Sequence, residues 1–168
     1  MARSPSEVTP GERVNRDAGG GSSPAEPRRL AGALGGVIVF VTLAGVLRGT
    51  AVCDLVQLVP ALAALAAVQR RRPWAFYAAV PIFVFWLVIV TVTWLSWLGA
   101  VPVVLGRASA PATGLVTLAG LSALAGLGAG VRSRSAAGVL SRLGAFWAFA
   151  LLQMAGLWMS LEPLIARR

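Results

Sequence analysis

Five long apolar runs, separated by short charged or glycine- and proline-bearing breaks, organise the chain from Leu30 onward. Residues 30–47 carry no charge, residues 51–68 are interrupted by Asp54 and softened by Gln57 and Pro60, and residues 74–98 are again uncharged. Residues 113–131 and 143–161 complete the series. A helix rising 1.5 Å per residue crosses a ~30 Å hydrocarbon core in about twenty residues. In hydrocarbon the backbone can satisfy its own hydrogen bonds only as a helix or a closed barrel. The runs lack the two-residue alternation of barrel strands, which leaves helices. The pattern predicts an all-α, polytopic transmembrane bundle of five spans.

Residues 1–29 follow a different pattern. Pro, Ser and Gly are interspersed with five arginines and four acids, and almost nothing apolar is available to bury. Such a segment cannot offset its ordering entropy and is expected to be a disordered cytoplasmic tail, with 30–168 the membrane domain. It does not read as a signal peptide, because acids occupy the would-be basic region and the first apolar run begins only at Leu30. Ala2 after Met1 excludes N-myristoylation.

Composition reinforces the membrane reading. The 168 residues are 57% hydrophobic and 12% charged, with a mean hydropathy of +0.77. These values exclude a soluble globular domain, a disordered protein and a folded nucleic-acid binder. Fifteen basic residues, all arginine, oppose six acids for a net charge of +9. With five spans and an inner N-terminus, eleven arginines lie inside: the five of the tail, Arg70, Arg71, Arg72, Arg132, Arg134 and Arg142. Four lie outside: Arg48, Arg107, Arg167 and Arg168. If residues 51–68 failed to span, the division would fall to eight against seven. Cytoplasmic loops retain arginine, so the sequence predicts five spans, N-terminus in and C-terminus out, in a bacterial inner membrane.

The breaks suit this layout. Residues 48–50 form a three-residue turn and imply a tight hairpin between the first two helices. Residues 69–73 form a basic anchor, with Pro73 suited to the first turn of the third helix. Residues 99–112 stay apolar although they bear Pro and Gly, and a re-entrant segment is one expectation for them.

Much chemistry is missing from the sequence. There is no histidine, and Cys53 is the single cysteine. A His-ligated haem, an ordinary catalytic zinc, a Ser-His-Asp triad and a Cys-x-x-Cys redox pair are therefore all without residues. No phosphate-cradling glycine loop is present either. The chain is expected to be neither an enzyme nor a holder of a cofactor or metal.

Five polar residues remain as candidates. Asp54 sits about 4–5 Å inside the second helix, and the hairpin turn brings Arg48 toward it, so an ion pair is expected there. Gln57 shares the Asp54 face, Gln153 is the polar residue nearest the middle of the fifth helix, and Glu162 lies at that helix's end. Gln153 can bond across to Gln57, Thr91 or Thr93 as packing glue. Two Gly-x-x-x-Gly steps, Gly32–Gly36 and Gly126–Gly130, offer close helix approach. Trp86, with Phe83 and Phe85, either fills space or lines a lipophilic surface. Trp74, Tyr77, Trp94, Trp97 and Trp158 fit interfacial belts. The leading expectation is a non-catalytic accessory, assembly or structural component of a membrane complex or homo-oligomer, partnered by lipid and by membrane protein through small-residue faces. The alternative is a small carrier or channel built on Asp54 and Gln57 with Arg48.

Overall fold

The computed structural model describes residues 25–100, 109–131 and 137–161. They form five helices: α1 (Ala25–Arg48), α2 (Ala51–Gln69), α3 (Ala75–Trp97), α4 (Ala110–Val131) and α5 (Val139–Leu161). All five are long and apolar enough to cross a membrane. The fold is thus all-helical with five candidate spans. Most of the expected tail, the middle of the 99–112 connection and Glu162 lie outside the described residues.

Three helices begin earlier than the apolar runs predict. α1 starts at Ala25 rather than Leu30, so residues 25–29 belong to the helix and not to the tail. Pro27 and Pro111 fall in the first turns of α1 and α4, where a proline costs no intrahelical hydrogen bond. α5 starts at Val139 because Arg142 is accommodated within its first turns. The Arg142 Nε donates to the Ala137 carbonyl at 2.6 Å, and its guanidinium lies 5.4 Å from the Tyr77 ring centre.

Three helices end in the same way. At Gly49, Arg71 and Gly99 the backbone turns left-handed, with φ of 72°, 51° and 73°. Thr50, Arg72 and Ala100 then donate backward to Gly45, Ala67 and Leu95 at 2.9–3.0 Å. These are Schellman caps, which satisfy carbonyls that would otherwise be orphaned at a helix end.

Packing is inverted relative to a water-soluble bundle. The buried positions are dominated by alanine, among them Ala33, Ala61, Ala64, Ala79, Ala119 and Ala123. The exposed ones are large and apolar on every helix, from Val39 and Leu55 to Val88, Leu121 and Trp158. Lipid tails are as apolar as leucine, so helices in a membrane associate through close backbone approach and leave their large side chains outside. α1 packs most extensively on α4 and then on α2. α3 packs on α5 and α4, and α2 also touches α5 and α3. α5 therefore lies at one side of the bundle, against α2 and α3.

Glycines in α4 make these approaches possible. A Cβ on Gly126 would run into the Phe83 ring, and one on Gly130 would run into the Phe76 ring. A Cβ on Gly120 would meet Val90 at 2.8 Å. The Gly126–Gly130 step thus receives two aromatic side chains of α3. In the Gly32–Gly36 step only the second glycine makes a helix contact, where a Cβ would lie 2.6 Å from the Ser122 Oγ of α4. Phe83 and Trp86 are buried in the core, so of the three aromatics expected to fill space or line a lipophilic surface, these two fill space.

Candidate functional site

Four of the five candidate polar residues lie in the corner where α1 hands over to α2 and α5 crosses it. Asp54, in the first turn of α2, points back across the hairpin toward Gly45 of α1. A Cβ on Gly45 would collide with its carboxylate. The glycine is therefore a seat: its missing side chain leaves the hollow that the Asp54 Oδ2 fills. Thr50 Oγ1 donates to that oxygen at 3.0 Å.

This seat decides what Arg48 can do. Gly45 lies three residues before Arg48, most of a helical turn deeper. Among the described residues no ion pair joins Arg48 to Asp54, although the Arg48 charge acts on the carboxylate through space. The Arg48 Nε and Nη2 are shielded and reach no acceptor. The expected cross-turn ion pair is replaced by a Thr50–Asp54 hydrogen bond over a glycine.

Deeper in the same corner, α5 crosses α2. Gln153 is only 2% exposed, and its Nε2 lies 3.4 Å from the Gln57 backbone carbonyl. Its partner is the Gln57 main chain, not the Gln57 side chain or the threonines of α3. One turn along α5, a Cβ on Gly156 would lie 3.4 Å from the Val56 carbonyl oxygen. One turn further, Ser160 Oγ reaches the Cys53 carbonyl at 3.1 Å and the Gly156 carbonyl at 2.8 Å. Residues 153, 156 and 160 thus form one stripe, spaced three and four apart, that lies on the backbone of α2. Pro60 helps to explain the location. It has no N–H for the Val56 carbonyl, and α5 passes that stretch with a glycine.

Two shielded side-chain atoms in the interior reach no partner, the Gln153 Oε1 and the Trp86 Nε1. No group of three or more potential metal-ligating side chains occurs among the described residues.

No protein-family model matches the chain, and no curated protein or solved structure is significantly similar to it.

Of the five candidate residues, Asp54 and Arg48 flank one turn, and Gln57 and Gln153 meet at one helix crossing. Glu162 lies outside the described residues. Gly45, Gly156 and Ser160 were missed. Gly156 and Ser160 carried one sequence signal, their three- and four-residue helical spacing from Gln153, and Gly45 carried none.

Proposed function

We propose that the chain is a non-catalytic integral membrane protein that works by helix packing, as an accessory or assembly component of a membrane complex or as a homo-oligomer. The supporting observation is how its interior polar groups are used. Gln153 and Ser160 lie on backbone carbonyls of α2, and Asp54 fills the hollow at Gly45. A carrier needs such groups along a wetted path, whereas here they close contacts between helices. We place the N-terminus on the cytoplasmic side of a bacterial inner membrane, on the strength of the eleven-to-four arginine division.

The surface offered to a protein partner differs from the small-residue faces that the sequence suggests. Gly36, Gly126 and Gly130 are occupied within the chain by Ser122, Phe83 and Phe76. α5 is the least buried span, and one face of it exposes Trp147, Leu151, Met154 and Trp158. That spacing of four, three and four is the repeat of a helix–helix seam. Its seam-like spacing, rather than the size of its side chains, which lipid also accommodates, supports it as the face left for a partner.

The test is affinity purification of the full chain after cross-linking in intact membranes, with Trp147→Ala/Leu151→Ala/Trp158→Ala as the comparison. The reading predicts a defined complex or oligomer that this triple variant loses while keeping its thermal stability. In proteoliposomes the wild type should move neither protons nor ions. Flux that disappears in Asp54→Asn, with the complex intact, would replace the reading with a carrier.

A further inference from the structure

On its lipid-facing side the bundle carries a groove of ≈540 Å³ between α1 and α4, lined by Arg29, Gly32, Ala33, Ser122, Ala125, Gly128 and Ala129. The two helices touch at Gly36 and Ser122, and the groove runs from there toward the start of α1. Its width comes from two glycines that serve no packing contact. A Cβ on Gly32 or Gly128 would meet nothing within 4 Å. Measured along α4 from Ser122 to Ala129, the groove is about 10 Å deep, roughly two-thirds of one leaflet's ~15 Å of hydrocarbon. At its mouth stands Arg29, preceded in the chain by Arg28, both exposed and engaged by no hydrogen bond or ion pair among the described residues.

We propose that this groove holds one acyl chain of an anionic phospholipid whose phosphate sits on Arg28 and Arg29. The depth suits a chain entering from a single leaflet, and the walls beneath Arg29 are small and, apart from Ser122, apolar. The charge at the mouth complements a phosphate, the group that juxtamembrane arginines attract. A second copy fits less well, because a two-fold axis normal to the membrane would set each Arg28–Arg29 pair against its equivalent. The inference needs only that the chain lies in a bilayer, so it stands apart from the packing function proposed above.

Native mass spectrometry of the full chain in neutral detergent tests it, with phosphatidylglycerol, phosphatidylcholine and inorganic phosphate as probes. Phosphatidylglycerol should bind at least about tenfold more tightly than phosphatidylcholine, each arginine being worth about fivefold. Arg28→Ala/Arg29→Ala should remove that preference and leave phosphatidylcholine binding unchanged. Gly32→Leu/Gly128→Leu fills open space, so it should abolish binding of both lipids without lowering the melting temperature. Equal affinity for the two lipids would overturn the proposal, as would undiminished phosphatidylglycerol binding in the leucine variant. Displacement of the lipid by millimolar inorganic phosphate would also overturn it. So would a dimer that dissociates in the leucine variant, since the occupant would then be a second copy.

Discussion

Arg71 carries a side chain through a left-handed backbone conformation, φ 51°, at the end of α2. Glycine occupies the equivalent position after α1 and α3. A non-glycine residue there costs roughly 1–2 kcal/mol. Arg71→Gly should therefore raise the melting temperature in detergent while thinning the arginine cluster proposed to set orientation; an unchanged or lower temperature would mean the cap is not strained. The glycine seats give the opposite sign. Gly130→Ala should destabilise by about 1–3 kcal/mol through collision with Phe76, and Phe76→Leu in the same chain should recover part of the loss. Asp54 supplies a third case. With no ion pair to break, a double-mutant cycle of Arg48→Ala and Asp54→Asn should give a coupling below about 1 kcal/mol. A larger coupling would restore the cross-turn pair. That pair was the natural expectation from spacing, since three turn residues do bring the two side chains near each other. The hollow at Gly45 was not legible, because a glycine in a run says nothing about which side chain will occupy its empty side.

At the scale of helices, the five spans could be read directly because lipid imposes length and apolarity whatever the neighbours are. Their extents were less legible. Charges and prolines mark the edge of an apolar run, but Pro27, Pro111 and Arg142 all sit inside first turns, so α1, α4 and α5 begin before their runs do. Partnership among helices was legible only in part. The Gly126–Gly130 step does mark a close approach, but what it admits is two phenylalanine rings rather than another helix's backbone. The α2–α5 crossing gives the clearest element-level prediction. Gln153→Leu should cost only about 0.6 kcal/mol, the average for an interhelical hydrogen bond in a membrane. Gly156→Leu should cost about 1–3 kcal/mol, because its side chain would press on the α2 backbone at Val56 and Gln57. Thermal denaturation of the two variants in one detergent checks the order. A Gln153→Leu loss exceeding that of Gly156→Leu would show that the hydrogen bond, not the close approach, holds the crossing.

For the whole molecule, alanine inside and leucine, valine and tryptophan outside describe a chain whose solvent is hydrocarbon. Its proposed orientation in that solvent rests on arginine, and Arg70, Arg71 and Arg72 between α2 and α3 are the densest cluster. Exchanging all three for serine should yield a mixed population of orientations. The most direct test is a dual topology reporter fused after Arg72, active as one enzyme in the cytoplasm and as another outside. Five spans with an inner N-terminus predict a cytoplasmic signal at that position. An external signal would mean that α2 does not cross the membrane or that the N-terminus lies outside, and either result would contradict the account.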